Sequence, residues 1–393
     1  MQYPDRFSDL PPYAFPRLRA LLDGHEPGGE PLSMSIGEPR HPFPSWVPEV
    51  IAAAAEGFGR YPPNDGAPEL LEAISGWLGR RYGVTVAPER ILTLNGTREG
   101  LYNVAMALSP ETKAGRVPAI LMPNPFYQVY AVAAASVGAE PVLVPATRET
   151  GHLPDYTALD AATLDRVTLA YVCSPSNPQG AIASAGYWRD LLRLAERHDF
   201  RIVADECYAE LYRDLPPPGL LEVAAAEGAD PERVVVFHSL SKRSNLPGLR
   251  SGFAAAGPGA MEQMRRLRAY AGAPLPAPLQ AVAIRAWSDE AHVEENRALY
   301  RTKFALADRI FGDLPGYEPP QAGFFLWLPV ADSEAAALKL WCETGVRCLP
   351  GAYLGRDAGQ GNPGAGYLRV ALVAPMAQTE TGLTQIRHCL YDS

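Results

Sequence analysis

The stretch RVVVFHSLSKRSNLPGLRSGF (233–253) sets an apolar, β-branched run directly against a lysine flanked by hydroxyls. Val234–Phe237 has the composition of a strand buried on both faces, as in a parallel sheet. Ser239, Ser241 and Lys242 follow it, and Arg250 stands eight residues beyond the lysine. The intervening Ser-Asn-Leu-Pro-Gly marks a turn. By itself a lysine after a strand reads as a solvated side chain. The other strand ends decide otherwise.

Four more apolar runs have the same texture: AILMPNP (119–125), AEPVLVPA (139–146), TLAYVCSP (168–175) and FRIVADECY (200–208). Amphipathic helices alternate with them, such as YWRDLLRLAERHD (187–199), with Leu191, Leu192 and Ala195 on one face. Strands alternating with helices imply βαβ units and an α/β fold with a mostly parallel central sheet. Past residue 278 the texture changes. Residues 278–311 read as one long helix, followed by GFFLWLPV, a helix over 333–343, VRCLPG, GYLRVALV and a last helix. This α+β pattern predicts a smaller domain, built from 1–45 and 286–393, beside a large domain over 46–285. The N-terminal SMSIGEPRHPFP (33–44) belongs with the smaller one, being too rich in proline for a sheet centre.

Bulk properties exclude several classes. The chain has 393 residues, 47% hydrophobic and 20% charged, and a net charge of −9, which speaks against a nucleic-acid partner. Arg265, Arg266 and Arg268 are expected on a solvated helix face. The five cysteines are odd in number and form no CxxC pair, so neither a disulfide framework nor a metal site is expected. The opening MQYPDRFSDLPPYAFPRL has no apolar leader core, and no run approaches the ~18 apolar residues of a membrane span. A cytoplasmic protein is expected, with no membrane partner.

In a parallel sheet the functional groups gather at the carboxyl ends of the strands. Here those ends carry Tyr127, Asn177, Asp205 with Tyr208, and Lys242. An aromatic face, an amide, a carboxylate, a phenol and an amine suit a planar, charged heteroaromatic cofactor with a reactive aldehyde. Pyridoxal phosphate makes these demands: an amine that is partly neutral, a carboxylate facing the ring nitrogen, and donors for the ring oxygen. Its phosphate wants a helix N-terminus. LTLNGTREGLYNVAMAL (92–108) supplies a strand, an Asn-Gly turn and a helix start at Thr97 and Arg98. Ser239, Ser241 and Arg250 could complete that cradle.

With these motifs in order, the chain resembles a fold-type I pyridoxal-phosphate aminotransferase of class I/II. The matching elements are GEP (37–39), Tyr61 with Gly66, NGT (95–97), NPFYQVY (124–130), SPSNPQG (174–180), DECY (205–208), the Ser239–Phe253 stretch, GFFLW (323–327) and YLRVA (367–371), spanning nearly the whole chain. The resemblance implies catalytic roles for Lys242, Asp205 and Tyr208: Lys242 as Schiff-base lysine and proton shuttle, Asp205 on the pyridinium, Tyr208 and Asn177 on the ring oxygen. It also implies that Tyr127 stacks on the ring and that Thr97, Arg98, Ser239, Ser241 and Arg250 hold the phosphate. Tyr61 would reach the phosphate of the neighbouring subunit in a homodimer. Arg369 would clamp the substrate α-carboxylate, helped by Asn177 and the backbone of Gly37.

PYAFPRLRALL (12–22), SIGEPRH (35–41), NPFYQVY and the lysine stretch look most like the bacterial N-succinyldiaminopimelate aminotransferases of lysine biosynthesis. That implies glutamate as donor and an acidic keto acid as acceptor. An acidic substrate asks for a second cation, for which Arg40, Arg98 and Arg347 are candidates. Other aminotransferase specificities (aspartate, aromatic, acetylornithine), a C–S lyase and a non-catalytic cofactor-binding regulator remain alternatives. Ser239-Leu240-Ser241-Lys242 also fits the S-x-x-K signature of serine hydrolases, but that family's K-T-G and S-D-N are absent. Gly359–Gly364 fits G-x-G-x-x-G, yet it holds a proline and leads into a strand, so a dinucleotide turn is not expected.

Overall fold

Why do the apolar runs share one sheet? Each is too short for a stable helix, and all but the edge run at 139–146 bury both faces. The computed structural model describes residues 5–8, 10 and 12–392; Met1–Pro4, within the stretch read for a leader, lie outside them. Among the described residues twelve strands form: β1 (Leu32–Ser33), β2 (Ile91–Leu94), β3 (Ala119–Asn124), β4 (Glu140–Pro145), β5 (Val167–Cys173), β6 (Arg201–Asp205), β7 (Val234–Ser239), β8 (Gly252–Ala256), β9 (Phe325–Pro329), β10 (Val346–Arg347), β11 (Leu349–Pro350) and β12 (Tyr367–Ala371).

Seven of them make the main sheet, in the order β2-β8-β7-β6-β5-β3-β4. All pairs from β7 to β4 are parallel, while β8 runs antiparallel to both β7 and β2. The ends of β2, β3, β5, β6 and β7 and the start of β8 therefore open on one edge. Side chains alternate between two cores, as the pleat requires. Val234, Val236, Ile202 and Ala204 pack with Trp77, Trp188 and Trp287 on one face. Val235, Phe237 and Val203 pack with Leu101, Val104 and Tyr130 on the other. Each fully buried valine contributes about 1.5–3 kcal/mol, which fixes the register of the polar strand ends.

A second, three-stranded antiparallel sheet has the order β11-β12-β9 and puts Arg369 opposite both Leu349 and Trp327. Helices Ala291–Phe311, Ser333–Thr344 and Met376–Leu390 cover it around Tyr300, Phe304, Phe311 and Phe324. The N-terminal β1 pairs in parallel with β10, so the segment at 32–33 joins the C-terminal part of the chain at 346–347. Among the described residues no helix is long and apolar enough to cross a membrane.

Two sequence expectations need correction. The long helix over 278–311 is two helices, Ala277–Ser288 and Ala291–Phe311. The Asp289 carboxylate accepts from the Ala291 N–H at 3.0 Å and holds His292 Nδ1 at 2.7 Å, so a local cap outcompetes the helical ladder. Nor do the three arginines form a solvated face: Arg268 is buried, pairs with Glu99 at 2.7 Å and donates to the carbonyls of Gly272 and Ala273.

Candidate active site

Lys242 sits on the short helix Leu240–Arg243 that follows β7 without a loop. Ser239 starts this turn, its hydroxyl accepting from the Ser241 N–H at 3.1 Å. The Lys242 amine donates to the Gly37 carbonyl at 2.5 Å and lies 5.3 Å from the centre of the Phe324 ring. Burial lowers its pKa from 10.5 to about 8; Cys207 and Glu38 oppose the shift, Arg369 and Arg250 add to it.

Asp205 ends β6 and is buried. Tyr130 donates to one oxygen at 2.8 Å and the Cys207 N–H to the other at 3.3 Å. Burial raises the Asp205 pKa, and these donors hold it back. Tyr130 is itself stacked on Tyr171, with ring centres 4.4 Å apart, so the carboxylate is aimed by packed aromatic side chains. The Tyr208 ring packs on Phe324 and Phe325 at 5.4 and 6.0 Å, and burial raises its pKa well above the ordinary value.

Arg369 is 4% exposed. It donates to the Asn177 side-chain oxygen at 3.0 Å and to the Ser35 carbonyl at 2.8 Å, while its Nε has no hydrogen-bond partner. Among the described residues its hydrogen-bond partners are neutral and none is a carboxylate, and burial lowers its pKa to about 10. A buried, unpaired guanidinium costs several kcal/mol unless an anion joins it. Asn177 and Arg369 thus meet as expected. The Gly37 carbonyl accepts from Lys242, and the Ser35 carbonyl contacts Arg369.

At the end of β2 the helix Thr97–Leu108 begins behind Gly96, which has φ +79°. A Cβ there would lie 2.1 Å from Arg250 Nη2, so glycine is needed for the guanidinium to cross the turn. Arg250, itself at φ +54°, donates to the Asn95 carbonyl at 3.2 Å. Ser239 donates to the Ser241 hydroxyl at 2.9 Å, and Thr97 Oγ1 lies 3.1 Å from Cys207 Sγ. The first N–H groups of a helix lack intrahelical partners, so this corner could hold an anion.

Arg98 turns aside from that corner and donates from Nε to the Tyr127 hydroxyl at 2.8 Å. It lines a cavity of about 650 Å³ with Tyr13, Asn95, Tyr102, Tyr127 and Arg250. Tyr61 is fully exposed. Arg347 is not brought to the site: it is exposed and lies over Trp341 at 4.8 Å. Arg40 is exposed as well.

Sequence reasoning passed over Tyr130, Cys207 and Ser35 as site residues. The first two lie inside the quoted NPFYQVY and DECY; the spacing of Tyr127 and Tyr130, one helical turn apart, was a usable signal. The donor set fits pyridoxal phosphate: a part-neutral amine, a buried carboxylate bonded only to neutral donors, a corner that could hold an anion, and an unpaired guanidinium for a second anion.

Comparison with known proteins agrees. A family model described as "Aminotransferase class I and II" matches residues 30–386. An LL-diaminopimelate aminotransferase of Dehalococcoides mccartyi is 32% identical over 397 residues, covering 98% of each chain. The crystal structure of an aminotransferase from Neisseria meningitidis superposes with a TM-score of 0.93 at 37% identity, covering 98% of this chain and 99% of that one. That of aminotransferase AspB from Helicobacter pylori gives 0.91 at 34%, with both chains covered in full.

Proposed function

The chain belongs to the class I and II aminotransferases, which depend on pyridoxal phosphate, and from that premise we propose that it transfers an amino group between glutamate and an acidic keto acid of the diaminopimelate class. Within that class the N-succinylated compound is the proposed substrate. The relative from Dehalococcoides mccartyi is named for LL-diaminopimelate, so the unacylated compound is the competing reading. The observation that carries the proposal is Arg369, a buried cation without an anion, beside an amine lowered to about 8.

We assign the cofactor to Lys242, to Asp205 at the ring nitrogen, to Tyr208 and Asn177 at the ring oxygen, and to Tyr127 over the ring face. Thr97, Ser239, Ser241 and Arg250 would hold the phosphate, together with the Arg98 backbone. When bound, the group supplies a carbonyl that takes up amines and a ring that withdraws electrons. Arg369 binds the α-carboxylate of the substrate and orients its Cα. Lys242 Nζ takes the proton from that Cα, for which it must be neutral part of the time. Asp205, whose charged form Tyr130 and the Cys207 N–H favour against its burial, would face the ring nitrogen and favour its protonated form.

Of Arg40, Arg98 and Arg347, Arg98 is supported for the distal carboxylate because it lines the cavity of about 650 Å³ together with Tyr127 and Arg250. Tyr61, exposed in its own chain, supports a homodimer in which it reaches the neighbouring site. A panel of amino donors tests the reading in the reverse direction, each with 2-oxoglutarate as acceptor: N-succinyl-diaminopimelate, LL-diaminopimelate, N-acetylornithine, aspartate and aromatic amino acids. The succinylated substrate is expected to give the highest kcat/KM. If it is no better than aspartate, the specificity proposal falls.

A further inference from the structure

Segment 35–42 has no regular structure, yet it crosses the site and is tied down by side chains. Arg369 donates to the Ser35 carbonyl, Lys242 to the Gly37 carbonyl at 2.5 Å, and Asn245 to the Pro42 carbonyl at 3.3 Å. Two of these ties are groups that the proposed function needs elsewhere. Lys242 must release Gly37 when it takes up the cofactor, and Arg369 must be shared with a substrate carboxylate.

The remaining tie is a buried relay. Lys303, on helix Ala291–Phe311, is 2% exposed. Its amine donates to the carbonyls of Leu372 at 2.9 Å and Ala374 at 2.6 Å and meets His41 Nε2 at 2.7 Å. Burial lowers the Lys303 pKa to about 8, so below that pH its amine is an ammonium that only donates; Nε2 then accepts and the ring proton sits on Nδ1. Nδ1 then donates to the Asn296 side-chain oxygen at 3.0 Å, which also accepts from Asn245 at 3.0 Å. The Asn296 amide in turn donates to the backbone carbonyl of Lys242 at 3.2 Å. Every donor and acceptor along this path has one consistent role. Burial and the neighbouring Lys303 charge hold the His41 imidazole below its ordinary pKa, as a neutral acceptor requires. The arrangement buries a cation on carbonyls and an imidazole, a costly choice if stability alone were served.

We propose that His41, carried by Lys303 and Asn296, is a positioning residue that keeps the Gly37 segment over the site once Lys242 is committed to the cofactor. This rests on the assignment of Lys242 and Arg369 above. The relay spans the cofactor-bearing turn, the N-terminal segment and the helix that covers the second sheet. It therefore ties the cofactor's anchor to the segment beside it without using a group the reaction consumes.

The test compares backbone hydrogen exchange of residues 36–42 in wild type and His41→Ala, each with and without pyridoxal phosphate. Without the cofactor, Lys242 still pins Gly37 and the two proteins are expected to differ little. With it, the variant should exchange about tenfold faster, and the KM of the amino donor should rise about tenfold while kcat stays within about twofold. His41→Gln, which reaches as far as Nε2 and can accept from Lys303, should fall between the two. It also carries the comparison if the alanine variant does not fold. Equal acceleration with and without cofactor would make His41 a fold-maintaining residue only, and no acceleration in either state would remove the relay from the account; either result overturns the proposal. Wild type that fails to take up pyridoxal phosphate would instead overturn the Lys242 assignment, and this proposal with it.

Discussion

Lys242 at a pKa of about 8 makes a quantitative demand on cofactor uptake. At pH 7.5 about a quarter of the molecules would carry the neutral amine, against about one in a thousand for a lysine at its ordinary 10.5. The structure attributes the shift first to burial, with Arg369 and Arg250 adding to it. The perturbation is pH, applied to cofactor-free protein. The assay is the rate of yellow colour on mixing with pyridoxal phosphate, in wild type and in Arg369→Gln. The rate should rise with a midpoint near 8 and level off within about one and a half pH units above it. In Arg369→Gln the midpoint should move upward, because a nearby positive charge has gone. A rate that climbs without levelling until pH 10 or beyond would refute the reasoning. The sign for stability is opposite to that of a salt-bridged lysine. Between about 8 and 10.5 the unfolded chain holds a proton that the folded chain has lost, so the contribution of Lys242 to stability grows with pH in that window. Urea denaturation of wild type against Lys242→Met should show a gap that closes as pH rises.

Three further outcomes are expected. Asp205→Asn should weaken cofactor retention about 10–100-fold on gel filtration, since a charge-assisted hydrogen bond becomes a neutral one; unchanged retention and turnover would remove Asp205 from the ring nitrogen. Arg98→Met should raise the KM of dicarboxylic acceptors about 5–50-fold and that of monocarboxylic ones less than about twofold, and equal effects on both would place the distal cation elsewhere. Tyr61→Phe should weaken pyridoxal phosphate binding about tenfold in equilibrium dialysis, and mixed dimers that pair it with Lys242→Ala should carry one restored site.

Much of the site was legible in the sequence for a physical reason. Strands of a parallel sheet are continuous apolar runs, so the polar residues that end them, Asp205 and Lys242 among them, stand out against the core. Their order along the chain and their common edge follow from one another. What was not legible depends on distant partners. Arg268 reads as solvated because Glu99, which buries it, lies far away in sequence. Arg347 reads as a candidate for the substrate, but it lies over the face of Trp341. The helix over 278–311 breaks because Asp289 caps the next helix through its side chain, a competition that periodicity does not register. His41 and Lys303 meet across 262 positions, and no pattern in either neighbourhood announces the contact. The division into domains over 46–285 and over 1–45 with 286–393 stays a proposal of the sequence; the seven-stranded sheet falls inside the first range and the two smaller sheets inside the second.

The central claim is that Lys242 is the residue that carries the cofactor. The chain has four lysines: Lys113, Lys242, Lys303 and Lys339. Borohydride reduction of the yellow protein, followed by peptide mass mapping, distinguishes them in one experiment. The account predicts a reduced pyridoxyl label on the peptide containing Lys242, with prior addition of glutamate abolishing it. A protein that takes up no pyridoxal phosphate, or a label on Lys113, Lys303 or Lys339 in its place, would contradict it.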